Sequence, residues 1–244
     1  MSTTTTVHEA PTTSPSSFST ALRRLSATTA AGGLLGLLVG GVGGRLAMFA
    51  LARLNPRATG MTSDDGFTIG QVTPATFGLL FVGTVLGALG GGIYFALRRL
   101  MIGPRWFQVL SVATGAGGVV GSMLVHVEGV DFTLEPVWLA ITLFVMIPFV
   151  YAALLTLLAE RWLREDGWFM REQIWVALLP LALWIPIVPV LVALLVGWAV
   201  HAGIRRTTGD ALRHPTWPWV ARAALAGLFV MAVLDLVRDV GHLT

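Results

Sequence analysis

The feature that most restricts this chain is a series of apolar blocks, each close to twenty residues long, joined by connections too short for a soluble domain. A hydrocarbon core ~30 Å thick needs about 20 helical residues to cross. Backbone in lipid must also satisfy its own hydrogen bonds, so blocks of this length read as transmembrane helices. Six are expected, at about 30–52, 74–97, 107–127, 136–159, 174–200 and 217–237. The expected fold class is therefore all-α, a polytopic integral membrane bundle of six helices, with five plus a re-entrant or broken segment as the alternative. Charge agrees with this reading: 12% of the 244 residues are charged, against about 25% in a soluble domain.

The alternative comes from the fifth block. Leu178–Val200 contains Pro180, Pro186 and Pro189, and each proline removes a helix hydrogen bond. A kinked single crossing would put Arg205, Arg206 and Arg213 opposite the other arginines, whereas a re-entrant segment would return them. Arg23, Arg24, Arg98, Arg99, Arg105, Arg161, Arg164 and Arg171 fall on one side of the first four spans, and only Arg53 and Arg57 on the other. By the positive-inside rule the first side, with the amino terminus, is cytoplasmic. Trp106, Trp138, Trp162, Trp175, Trp198, Trp217 and Trp219 sit near expected helix ends, where amphipathic rings collect. Trp184 is the exception.

Residues 1–25 read as a disordered Ser/Thr/Pro-rich cytoplasmic tail, and 26–244 as the transmembrane domain. The first apolar block is too long and glycine-rich for a cleaved signal peptide, so it is expected to be retained. All sixteen basic residues are Arg, and Asn occurs once, at Asn55. This GC-rich codon usage points to a bacterial protein of the plasma (inner) membrane.

Glycines recur every fourth residue at Gly32, Gly36, Gly40 and Gly44, at Gly83, Gly87 and Gly91, and, following Ala113, at Gly117 and Gly121. Positions four apart share a helix face, and a face without side chains lets backbones approach. Plain helix packing is the first use of such faces; a pore lining or an oligomer seam is the second. Gly40–Gly44 and Gly117–Gly121, each followed by an acidic-Gly loop and a proline, also form a weak internal repeat.

Arg45 stands beside the first glycine strip. A guanidinium at bilayer depth is costly unless it faces protein or water, so a partner is expected. Asp64, Asp65, His126 and Glu128 are the candidates, and with Arg45 they would form a polar outer vestibule. The stretch His126–Glu135 carries four ligand-type side chains but no established metal spacing, and reads first as a solvated acidic loop. Asp235, Arg238 and Asp239 can neutralise one another near an interface, Arg222 can snorkel to the surface, and Glu160, Arg161, Arg164, Glu165 and Asp166 form an interfacial cluster.

No hydrolase, zincin or phosphate-loop motif is present. The absence of Cys removes disulfides and thiolate ligands. No catalytic, cofactor or metal residues are assigned, and no clustered basic face calls for nucleic acid. The expected partners are the lipid bilayer and, through the glycine faces, a second copy or the helices of a membrane complex. These features fit two functions: permeation or transport of a small solute or ion, and a non-catalytic accessory or assembly subunit of a membrane complex.

Overall fold

The computed structural model describes residues 17–63, 66–125, 137–164, 166–188, 192 and 217–243. These residues are helical and contain no β-strand, apart from one isolated antiparallel bridge between Thr62 and Thr68. Five of their helical stretches are long and apolar enough to cross a membrane: Phe18–Leu54, Ala75–Leu100, Arg105–Leu124, Val137–Trp162 and Pro218–His242.

The first stretch consists of α1 (Ser17–Leu35), a π-helical segment (Gly36–Gly43) and α2 (Gly44–Leu54). It is followed by α3 (Ala75–Leu97), which tightens into a 3-10 turn at Arg98–Leu100, and by α4 (Arg105–Leu124) and α5 (Val137–Trp162). Two short helices come next, α6 (Trp168–Arg171) and α7 (Ile174–Leu178), and α7 continues as a 3-10 segment over Leu179–Ile187. The last helix is α8 (Trp217–Leu243).

α1 lies at the centre of the bundle and touches α3, α5, α6 and α7. Ser26, Ala27, Thr28, Thr29 and Ala31 are fully buried on it. Its contact with α3 is antiparallel and made of backbone. A Cβ built at Gly32 would run into the Gly87 carbonyl, one at Gly36 into the Gly83 carbonyl, and one at Gly91 into the Thr28 carbonyl. No side chain fits at these positions, and the dispersion contact of two bare backbones is what lipid cannot replace.

The every-fourth-residue strip does not continue as far as the sequence implied. Gly40 has only the Gly83 Cα nearby, at 3.8 Å, and a Cβ at Gly44 would meet nothing within 4 Å. Gly41 takes over instead, with a Gly83 Cβ falling 2.9 Å from its nitrogen. The cause is the π-helical segment, whose i→i+5 spacing moves the face forward by one residue. In the other helix pair, Gly117 and Gly121 face Val145 and Phe149 of α5, and Gly118 faces Phe229 and Val233 of α8.

Two long-range hydrogen bonds use the space that glycine leaves. The Tyr151 hydroxyl donates to the Gly87 carbonyl at 2.6 Å, and its ring occupies the room beside Gly90. The Trp184 indole donates to Thr29 Oγ1 at 3.1 Å and lies over Gly92. Trp184, the ring away from the expected helix ends, is thus an inward-facing packing residue.

α1 begins at Ser17, inside the stretch read as tail. Contacts far along the chain order it: Arg23 donates to the carbonyls of Phe169 (3.1 Å) and Glu172 (2.5 Å) at the end of α6, and Ser26 Oγ donates to the Ala177 carbonyl. Cations favour helix carboxyl ends, where carbonyls are unpaired.

The expected fifth span, about 174–200, is described only over residues 174–188 and at residue 192. Its described part is short and broken: the α-helix stops at Leu178 and the chain tightens into 3-10 geometry through Pro180 and Pro186. Arg222 in the first turns of α8 donates to the Leu100 carbonyl at 2.9 Å, at the end where α1 and α7 begin.

Substituting Gly36→Ala or Gly87→Ala should lower the detergent melting temperature, by an overpacking cost of about 1–3 kcal/mol each. Gly44→Ala should leave it unchanged or raised, and equal effects at all three positions would refute the close-contact account.

Candidate functional site: the Arg45 junction

The second residue of α2 is Arg45, and only 6% of its surface is exposed. Its Nε donates to Thr76 Oγ1 at 3.1 Å, and Nη2 donates to the same oxygen. Nη1 donates to the Thr68 carbonyl at 2.7 Å and touches Met48 Sδ at 3.4 Å. The guanidinium therefore joins α2, the first turn of α3 and the connection between them. Thr76 Oγ1 also accepts from the Thr73 nitrogen at 3.2 Å, closing the start of α3.

The connection is folded. Gly60 N donates to the Ile69 carbonyl (2.9 Å), Ile69 N to the Met61 carbonyl (2.8 Å) and Ser63 N to the Phe67 carbonyl (2.9 Å). These bonds make a small hairpin, turned where Gly66 N donates to the Ser63 carbonyl at 2.9 Å. Ile69 and Ala58 are fully buried and pack on Ala52 and Met48 of α2. Gly70 has φ +71°, and a Cβ there would lie 2.6 Å from the Ala52 Cβ, so only glycine fits. The hairpin is pressed along α2, and Arg45 holds its base.

Of the expected vestibule residues only Arg45 is placed. Asp64, Asp65, His126 and Glu128 lie outside the described residues, so the acidic loops bear on no geometry here. Among the described residues Arg45 is satisfied by neutral acceptors: a hydroxyl, a carbonyl and a thioether. Its five donors suit such a convergent arrangement. Thr76 was missed in the sequence. Thr73-Pro74-Ala75-Thr76 carried a usable signal, a hydroxyl in the first turn of a helix. The Thr68 carbonyl carried none, since a backbone acceptor has no residue signature.

A second polar group closes the opposite end of the bundle. Arg98 Nε and Nη2 donate to Glu160 Oε1 and Oε2, each at 3.1 Å, and the Tyr94 hydroxyl donates to Oε1 at 2.9 Å. The ion pair bridges α3 and α5 with its side chains about a quarter exposed. Two parallel bonds fix direction more than they add stability at such exposure. Among the described residues no three His, Cys, Asp or Glu side chains converge as a metal site.

No protein-family model matches the chain. No match was found among curated proteins or among solved structures.

Removing the Arg45 side-chain bonds by Arg45→Gln should destabilise the protein by about 1.5–3 kcal/mol, the range for hydrogen bonds to charged groups. Thr76→Val should cost part of this, and the double variant less than the sum of the two. Additive losses in thermal melts would mean that the two residues do not share an interaction.

Proposed function

We propose that the chain is a non-catalytic structural subunit of a bacterial inner-membrane complex, docking partner helices on its outer helical faces. The observation that supports this is the enclosed state of Arg45. A cation lining a permeation path would keep donors for water or solute, whereas this one spends them on tying α2, the hairpin and α3 together. Backbone-tight packing of α1 on α3 points the same way, because a contact with no slack suits a fixed scaffold.

In this reading the arginine-rich end faces the cytoplasm and carries the amino terminus. The start of α8 beside Leu100 supports five full crossings, with the segment from α7 to α8 entering and leaving by the same face. The carboxyl terminus then lies on the opposite face. The absence of native cysteine makes this directly testable. In sealed membrane vesicles, Ala21→Cys and His242→Cys should react with an impermeant maleimide from opposite faces. Labelling from one common face would overturn the five-crossing arrangement.

Permeation of a small solute or ion is the second reading, favoured by the 3-10 backbone of Leu179–Ile187. Non-α backbone at membrane depth is tolerated only where protein buries it or water lines it. Proteoliposome flux separates the two functions. The structural reading expects no flux above empty liposomes for the native protein or for Arg45→Gln, and a lower melting temperature for the variant. Flux that Arg45→Gln alters without loss of stability would replace the structural reading with the permeation one.

A further inference from the structure

The arginine-rich end of the bundle is not uniform. Arg98 is neutralised by Glu160, and Arg23 is spent on the carbonyls that end α6. A different arrangement occupies the corner where the α3–α4 turn meets α8. Arg222 lies with its guanidinium carbon 4.7 Å from the Trp219 ring centroid, and its Nε is held by the Leu100 carbonyl. Its two terminal nitrogens make no hydrogen bond among the described residues. Arg99, in the 3-10 turn that α8 contacts, is exposed. So is Arg105, the first residue of α4.

Further features add positive potential at this corner. Among the described residues α4 and α8 both start at this end of the bundle, which puts the positive ends of their dipoles on the same side. Pro104, the residue before α4, provides no side-chain cap for the first-turn N–H groups. Trp106 and Trp219 flank the corner and are 67% and 62% exposed. Exposed indoles at a helix end belong at headgroup depth, with one edge among acyl chains and the other in the polar layer. Arg222 and Arg99 thus lie on elements in contact, Arg105 opens a helix that also packs on α8, and none of the three has a carboxylate partner among the described residues.

We propose that this corner holds the phosphate of an anionic phospholipid, with Arg222 as the fixed ligand and Arg99 and Arg105 closing around the headgroup. Phosphate oxygens match the paired donors of a guanidinium. Stacking on Trp219 and the Leu100 bond pre-set Arg222, so little side-chain freedom is lost on binding. The acyl chains would lie along the exposed apolar surface of α8, where none of the most apolar residues is buried within the bundle. The proposal requires only that the chain spans a bilayer, and it holds for either functional reading.

The test is native mass spectrometry of the full-length protein released from mixed phosphatidylcholine and phosphatidylglycerol membranes, scoring retained lipid. The native protein should retain phosphatidylglycerol preferentially. Arg222→Gln should lower that retention about fivefold, the factor expected per basic residue at an anionic surface. Arg99→Gln and Arg105→Gln, at exposed positions without packing roles, should each lower it similarly and guard against misfolding of the Arg222 variant. Arg53→Gln, at the opposite end, should change nothing. Equal retention of the two lipids, or an equal loss in Arg53→Gln, would overturn the site. Displacement of phosphatidylglycerol by millimolar inorganic phosphate would reassign it to a free anion and overturn the lipid proposal.

Discussion

The backbone contact between α1 and α3 is the interaction on which the other contacts rest. In lipid, apolar side chains gain little by meeting each other, because acyl chains are equally apolar. What remains is the dispersion energy of close approach, which is small per atom pair and accumulates only where surfaces fit. Glycine at 32, 36, 83, 87 and 91 removes every Cβ that would hold the two helices apart. Once this pair is set, α1 can be central, and its polar first turns become reachable for the carbonyls of α6 and α7. Tyr151 and Trp184 then find acceptors that only a bare or hydroxyl-bearing face provides.

The two ends of the bundle are closed by different chemistry. At the hairpin end a buried cation is satisfied by neutral oxygens and thereby ties down the twenty-residue connection, Asn55 to Pro74. At the other end an ion pair with a phenol attached bridges α3 and α5. The first arrangement is enclosed and directional, and its loss would leave donors buried. The second is partly hydrated, so water can replace much of what it contributes. The structure is therefore less tolerant of change at Arg45 than at Arg98.

Much of the helical architecture was legible in the sequence, because apolar block length and glycine spacing report on lipid thickness and helix periodicity directly. What was not legible came from contacts between distant segments. Ser17–Leu25 looks like tail by composition, yet it is ordered by Arg23 and the adjacent Ser26 reaching residues 169–177. The fifth block has the apolar length of a crossing, and its prolines announced a break, but which end α8 starts from is read from Arg222 on Leu100 and from Gly118 of α4 against Phe229 and Val233. Arg45 was recognisable as needing a partner. Charge-based reasoning proposed carboxylates and could not propose Thr76 or a main-chain carbonyl. Glu160 was placed in a local cluster, whereas its partners sit sixty residues earlier on α3.

The π-helical segment has a consequence for the cation at the hairpin end. One extra residue in a helix rotates everything after it by about 100°. Along α1 the packing face runs through Gly32 and Gly36, and after the shift through Gly41. The next position four residues on is 45. Arg45 is therefore the residue that follows the last glycine on the same face, and it faces α3 because the helix is overfilled by one residue ahead of it. In an uninterrupted α-helix that place would fall to Gly44, and the guanidinium would point about 100° away from it. The irregular turn thus acts as a phase setter: it ends the contact made by bare backbone and starts, on the same line, the contact made by charge.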